Sequence, residues 1–283
     1  MLKILIGKKA LKCFIRRLMS KTQFKKNCFF LSPHLDDVVL SCGSFITSLI
    51  KKKHNVLVLS IFTKSTAAKN TVFTKNYLKN SGFTNEIKFF HFRHKENKKA
   101  LNFLKCQYEC FDFIDAAWRQ RPNLSLLETF LLKFFSAASF IYPKDKDIFA
   151  GKIRDNDLYL KNIEIMIKKA IKQFNNYSLF IPLGIGKHVD HLITKKIGEH
   201  LNKNVIYYED FPYNYDFSQK NYRKDLIYQI IRKEHLKSVL KEKNINWKTK
   251  VKAIKFYRSQ YQILFINQVI PKVPEEYYQK NES

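Results

Sequence analysis

Short, continuous runs of β-branched and aromatic residues recur along the chain, and longer segments with helical spacing separate them. Strands that are apolar on both faces and alternate with helices are typical of a mostly parallel sheet covered on both sides. We therefore predict an α/β fold with helices on both faces of the sheet. The predicted strands are 27–32, 55–62, 87–92, 178–184 and 204–210, and the clearest helices between them are 38–52 and 156–174.

The last third of the chain, from Asn221 onward, has a different pattern. Apolar residues there follow helical spacing, which predicts a helical C-terminal third. The two stripes are Leu226, Ile227, Ile230 and Ile231, and then Val251, Ile254, Tyr261 and Leu264. No segment has the composition of a linker, so we predict a single domain over 27–270 and a flexible tail over 271–283.

The N-terminal segment 1–26 contains nine basic residues and no acidic one. Its apolar residues Leu11, Phe14, Ile15 and Leu18 follow the i, i+3, i+4, i+7 pattern of an amphipathic helix. Such a helix could lie on an anionic membrane surface or pack against the domain. Lysines interrupt its apolar part, so it is a poor signal peptide. The prediction is a cytoplasmic protein, with peripheral membrane contact through residues 1–26 as an open alternative.

The formal charge of +28 comes from 52 basic and 24 acidic residues. It indicates either a polyanionic partner, nucleic acid or membrane, or a compositional bias toward lysine. Lysines are scattered along the whole chain, which favours bias. The five cysteines lack paired C-x-x-C spacing, so no disulfide framework or four-cysteine zinc site is indicated.

Two polar clusters follow predicted strands. "SPHLDD" follows the first strand and contains His34, Asp36 and Asp37, and "GIGKHVDH" follows the fourth and contains His188, Asp190 and His191. The carboxyl ends of parallel strands meet at one edge of a sheet. Imidazole and carboxylate groups are the ligands of catalytic zinc sites, and a spare carboxylate can take a proton from water. Taken singly, each residue could instead be a surface or capping group; Asp36, for example, could cap the following helix.

These clusters resemble the two motifs of the PIG-L/LmbE-like family of zinc-dependent N-acetylglucosaminyl de-N-acetylases. "SPHLDDVVLSCG" is similar to the H-P-D-D-E motif and "HVDH" to H-x-D-H. "RHKENKKAL" (93–101) and "DAAWR" (115–119) also have counterparts, and the resemblance extends over residues 27–262. The chain departs from the common pattern with Leu35 for Pro, Val38 for Glu and Tyr257 for His.

The resemblance implies a Rossmann-like fold and hydrolysis of the acetamido group of an N-acetylated amino sugar. His34, Asp37 and His191 would bind Zn²⁺, with Fe²⁺ chemically possible at such a site. Asp36 would be the general base for the attacking water. His188 would face the developing oxyanion, either protonated or donating, with Asp190 holding its ring. Arg93, Asp115, Trp118 and Arg119 are the candidate substrate-binding residues.

The N-acetyl sugar could be part of a glycolipid, a sugar nucleotide, a glycoconjugate thiol precursor or a small natural product. The basic charge favours a lipid-linked or nucleotide-linked sugar. The alternative from another class is a non-enzymatic, basic nucleic-acid- or membrane-binding protein on a deacetylase-like fold. The chain has no helix-turn-helix pattern and no RNA-binding aromatic signature, so we expect no specific nucleic-acid partner. "GIGK" (184–187) lacks the remainder of a phosphate-binding P-loop motif.

Overall fold

The structure is a computed structural model, and it describes residues 24–66, 70–122, 136–243, 245–265 and 269–281. Its strands are β1 (Asn27–Ser32), β2 (Asn55–Lys64), β3 (Gln107–Ile114), β4 (Tyr177–Pro182), β5 (Ile206–Tyr208), β6 (Tyr215–Asp216), β7 (Asn221–Tyr222), β8 (Leu236–Glu242) and β9 (Glu275–Lys280). Seven of them form one sheet in the order β3-β2-β1-β4-β5-β9-β8, and β6 pairs with β7. The pairs among β1 to β5 are parallel, while β9 is antiparallel to both of its neighbours. The predicted α/β class with a mostly parallel sheet is confirmed.

The helices are α1 (Asp37–Lys51), α2 (Val72–Asn80), α3 (Glu86–Leu104), α4 (Asp145–Ile148), α5 (Tyr159–Ile171), α6 (Val189–Leu201), α7 (Lys224–Lys233), α8 (Trp247–Ile254) and α9 (Arg258–Leu264). Side-chain caps fix two of their starts, because Thr71 accepts from the backbone N–H of Thr74 and Asn85 accepts from that of Lys88. The helices predicted over 38–52 and 156–174 correspond to α1 and α5.

Apolar clusters cover both faces of the sheet. Alternate residues of β1 point to opposite sides, so that Phe29 and Leu31 belong to one buried cluster while Cys28 and Phe30 belong to the other. This is why the strand sequences are continuously apolar rather than alternating.

The predicted strand 87–92 is wrong, because these residues lie inside α3. A short apolar run does not distinguish a strand from a buried helical segment. Here the Asn85 cap starts a helix, whose buried residues Phe89, Phe90, Arg93, Asn97 and Ala100 recur at helical spacing. The strand in this part of the chain is instead β3, which lies at the edge of the sheet and is only partly buried.

The C-terminal predictions need a second correction. Helices α7, α8 and α9 contain the two predicted stripes, but β8 and β9 are strands, so this third is not wholly helical. The tail predicted to be flexible forms β9 between β5 and β8 over Glu275–Lys280, where Tyr277 and Tyr278 are buried. Both rings fill space against the sheet faces, and this contact outweighs the polar composition of the tail.

The predicted N-terminal helix falls on residues 1–23, which lie outside the described part of the chain. Phe24, the first described residue, packs with ring centroids 5.4 Å from Phe45 and 5.5 Å from Phe180. Among the described helices, none has the length and apolar character needed to cross a membrane.

Candidate metal and active site

The loop after β1 presents the first polar cluster. The backbone N–H of His34 donates to Asp37 Oδ2 over 2.7 Å, and the Ser32 hydroxyl bridges the His34 carbonyl and the Val38 N–H. Asp36 occupies the N-cap position of α1, but its side chain makes no capping hydrogen bond. The carboxylate of Asp36 is therefore free for another role, and the capping interpretation is wrong.

The loop after β4 presents the second cluster, and Asp210 organises it. This buried residue follows β5, and its Oδ2 accepts the backbone N–H groups of Gly184 (2.6 Å) and Ile185 (3.1 Å). Gly184 has φ = +84°, a conformation that favours glycine. Asp210 Oδ1 lies 2.6 Å from Nδ1 of His191, in the first turn of α6. Asp210 thus fixes both the loop and the imidazole.

Because β1 and β4 are parallel neighbours, the two loops meet. Asp37 Oδ2 lies 3.1 Å from His34 Nδ1 and 3.3 Å from His191 Nε2. Donor atoms of these three residues all lie within 4.8 Å of one another. Ligands about 2 Å from a tetrahedral ion are about 3.3 Å apart. His191 Nε2 is buried and has no hydrogen-bond partner among the described residues. The three residues therefore fit a divalent metal ion.

The electrostatics of this cluster also favour a cation. Burial opposes charge on His191, yet Asp37 and Asp210 raise its pKa to about 9. Burial likewise opposes charge on His34, and Asp37 and Asp190 nevertheless raise its pKa. Despite its burial, Asp37 has a lowered pKa because of both histidines. The negative charge that raises the pKa values of the histidines would equally favour a bound metal ion, and metal binding would compete with protonation.

His34, His188 and Asp190 form a second group of close donor atoms. However, the Asp190 oxygens are already engaged: Oδ1 accepts from Arg119 Nη2 at 2.5 Å, and Oδ2 accepts the Ala116 N–H at 2.9 Å. His188 Nδ1 accepts the backbone N–H of Asp190. This second group is consequently the poorer metal site.

His188 is a neutral hydrogen-bond donor in this arrangement. Since Nδ1 accepts a hydrogen bond, the ring proton is on Nε2. Burial, together with the charge of His34, lowers the pKa of His188 well below its usual value. We predicted that Asp190 holds the His188 ring. Only the backbone N–H of Asp190 contacts His188 in this way; its carboxylate lies 3.2 Å from His34 Nε2 instead, so the prediction is wrong for the side chain.

A cavity of about 320 Å³ adjoins the cluster. Its lining includes both Asp36 and Arg93, whose Nη2 donates to Asp36 Oδ1 over 2.6 Å. The remaining lining is largely apolar and aromatic, and it includes Phe73, Tyr77, Phe149 and Tyr213. The site thus joins a metal-type donor cluster, a carboxylate beside it and an apolar cleft.

The four predicted substrate-binding residues divide into two pairs. Arg93 and Asp115 line the cavity. Trp118 does not: its ring is fully buried, 5.2 Å from that of Phe90, and its indole N–H donates to Asn70. Arg119 is also buried, with both ends of its guanidinium paired to internal carboxylates. The assignment of Trp118 and Arg119 to substrate binding is therefore corrected.

Asp210 is a site residue that was not predicted from the sequence. Asp210 ends the predicted strand 204–210, so it follows the same rule of polar groups at strand ends that identified the two clusters. Tyr213 lines the cavity with its ring 5.5 Å from that of His191.

The family of the chain follows from its similarity to known proteins. The model of the GlcNAc-PI de-N-acetylase family, PIG-L, matches residues 29–202. The chain belongs to the PIG-L family. A 2′-N-acetylparomamine deacetylase of Niallia circulans is 30% identical over 207 residues, which cover 68% of this chain and 69% of that protein.

Solved structures support the fold of this PIG-L protein. A deacetylase of teicoplanin biosynthesis, in complex with bog, has a TM-score of 0.66 at 18% identity, over 91% of this chain and 100% of that one. The zinc-inhibited form of teicoplanin deacetylase has a TM-score of 0.65 at 17% sequence identity, again over 91% of this chain and 100% of that one. The family resemblance inferred from the two motifs is confirmed, and we conclude that the chain is a PIG-L deacetylase.

Proposed function

We propose that this PIG-L protein is a Zn²⁺-dependent hydrolase that removes the acetyl group from an N-acetylated amino sugar. The observation that carries the proposal is the convergence of His34, Asp37 and His191 beside the Asp36 carboxylate, at the cavity. A two-histidine, one-carboxylate set would also accept Fe²⁺.

The metal ion, when bound, would polarise the amide carbonyl and acidify water. Asp36 is the group placed to take the proton of the attacking water. Arg93 donates a hydrogen bond to Oδ1 of Asp36 and so fixes the carboxylate. The ion pair uses only this oxygen, which leaves Oδ2 to accept the proton. The same carboxyl group can then return the proton to the leaving amine.

His188 supplies a hydrogen bond to the oxygen that becomes negative during attack. A neutral imidazole with its proton on Nε2 is a donor that needs no prior protonation, and its burial strengthens the interaction. Its ring lies at the cavity, 4.9 Å from that of His34.

The substrate would be a small neutral or cationic amino sugar. The 2′-N-acetylparomamine deacetylase supports a sugar acetamide as the reacting group. Among the described lining residues, Arg93 is the only lysine or arginine, and its Nη2 is already paired with Asp36. Three carboxylates, of Asp36, Asp37 and Asp115, share this lining. This charge balance disfavours phosphate groups inside the cavity, so we rank nucleotide-linked sugars lower. Membrane contact and a cytoplasmic location remain predictions.

The test combines metal content with acetate release. Purified wild-type protein is expected to hold about one metal ion per chain and to release acetate from N-acetylated aminoglycosides or N-acetylglucosamine. His191→Ala should lose both the ion and the activity, whereas Lys161→Ala, on the surface helix α5, should retain both. Wild-type protein that binds no Zn²⁺ or Fe²⁺ after reconstitution would contradict the proposal.

A further inference from the structure

We propose that Arg119 is a positioning residue of the metal site: through Asp190, it sets the orientation of the His34 ring. The inference rests on the proposed function, because it assigns His34 to the metal. Arg119 lies outside the cavity lining and contacts none of the three ligand residues.

Arg119 is held rigidly inside the protein. Its Nη1 donates to Asp157 and its Nη2 to Asp190, both over 2.5 Å, and the three side chains are at most 1% exposed. Its Nε and Nη2 also donate to the Ile114 carbonyl. The guanidinium carbon lies 4.7 Å from the ring centroid of Phe62, on β2. The planar fork of arginine allows all these bonds at once, which a lysine cannot reproduce.

Asp190 transmits this geometry to His34. One carboxylate oxygen is bound to Arg119, and the other accepts the Ala116 N–H and lies 3.2 Å from His34 Nε2. When the ring proton is on Nε2 and is donated to Asp190, Nδ1 keeps its lone pair. Nδ1 lies 3.1 Å from Asp37 Oδ2, so this lone pair faces the proposed metal site. Histidine ligands of metals commonly donate their other ring N–H to a carboxylate in this way.

The two histidines of the site are therefore supported alike. Asp210 supports His191 and is itself fixed by the backbone N–H groups of Gly184 and Ile185. Asp190 supports His34 and is fixed by one backbone N–H and by Arg119. At Asp190, the Arg119 side chain therefore takes the place of the second backbone N–H that Asp210 has.

A purely structural role explains this network less well. Burying one cation with two carboxylates carries a large desolvation cost, and apolar side chains of similar volume are often as stabilising. One Asp157 oxygen is even buried without a hydrogen-bond partner in the described structure. What this costly arrangement does fix is the carboxylate that faces His34.

The test is a double-mutant cycle read as Zn²⁺ affinity, measured by competition with a chromophoric chelator on the full chain. Arg119→Lys and Asp190→Asn should each weaken Zn²⁺ binding about 10- to 100-fold. If Arg119 acts through Asp190, the double variant should bind Zn²⁺ no more weakly than Asp190→Asn alone. Additive losses, or an Arg119→Lys affinity equal to that of wild type, would overturn the inference.

Lys250→Met is the matched control, because it breaks another buried ion pair, to Glu275. It should lower thermal stability and leave Zn²⁺ affinity unchanged. If circular dichroism shows that Arg119→Lys does not fold, Asp157→Asn replaces it in the test. We expect Asp157→Asn to lower Zn²⁺ affinity several-fold, and an unchanged affinity would overturn the inference. Wild-type protein that binds no metal would instead refute the proposed function itself.

Discussion

At the scale of single residues, neighbouring carboxylates have different tasks. Asp37 Oδ2 faces two imidazole nitrogens, whereas Asp36 Oδ1 faces the guanidinium of Arg93. The two are adjacent in sequence, but the first turn of α1 directs them to different partners. This separation allows one to serve as ligand and the other as base.

Asp36→Asn tests that division. An amide of the same shape cannot accept the proton, so kcat/KM for acetate release should fall about 10²- to 10⁴-fold. Metal content should stay at the wild-type level, because Asp36 lies outside the donor set. Asp210→Asn is the counterpart, with metal affinity lowered about 10- to 100-fold. Loss of metal in Asp36→Asn would mean that the two aspartates are wrongly assigned.

The raised pKa of His191, about 9, predicts how the stability of the metal-free protein varies with pH. A folded-state pKa above the unfolded value of about 6.5 stabilises the fold fully below pH 6.5, and this contribution is lost as pH rises through 9. The loss is of the order of 3 kcal/mol. Urea unfolding of chelator-treated protein at pH 6 and pH 9.5 measures it. In His191→Gln the decline should be smaller, and an equal decline would rule out His191 as its source.

At the scale of elements, the C-terminal strand supports the helix that begins at the site. Glu275 on β9 accepts the backbone N–H groups of Ser44 (2.9 Å) and Phe45 (2.8 Å), both within α1. It also forms a buried ion pair with Lys250 of α8, 2.7 Å away. One carboxylate thus ties three elements together, although it lies far from Asp37 along the chain.

Glu275→Gln should therefore destabilise the whole fold. The substitution leaves the Lys250 ammonium buried without its counter-charge, which typically costs about 3 to 5 kcal/mol of unfolding free energy. Adding Lys250→Met should recover part of the loss, because the unpaired charge is then removed. Chemical denaturation of the single and double variants gives both values. A loss below about 1 kcal/mol in Glu275→Gln would show that water solvates Lys250.

At the scale of the whole molecule, the proposed metal site joins distant parts of the chain. His34 and Asp37 follow β1, and His191 follows β4 more than a hundred residues later. A ligand that binds only the folded state stabilises the entire domain, by about 2.7 kcal/mol at a concentration 100 times its Kd. Thermal unfolding with and without Zn²⁺ should show a single transition that moves upward, and His191→Ala should not respond. A shift retained in His191→Ala would indicate binding elsewhere.

The sequence predicted best those features that a short stretch of neighbouring residues determines. The strands predicted at 27–32, 55–62 and 178–184 correspond to β1, β2 and β4, and the polar groups after the first and fourth lie together. Prediction failed where a short apolar run fits both a strand and a helix, and where strand pairing decides. The run 87–92 is apolar enough for a strand and became helix, while the polar tail became β9 because its tyrosines pack against the sheet.

By itself, the sequence determined the fold class, the family and the two polar clusters that meet at the site. The fold class follows from the periodicity of apolar residues, and the family and the site follow from two short motifs of neighbouring residues. Only the tertiary structure decided the partners: Asp190 with His34, Asp210 with His191, and Arg119 with Asp157 rather than with a substrate. The physical reason is that periodicity fixes which face a side chain occupies, whereas a hydrogen bond between residues 156 positions apart depends on how strands are ordered and helices packed.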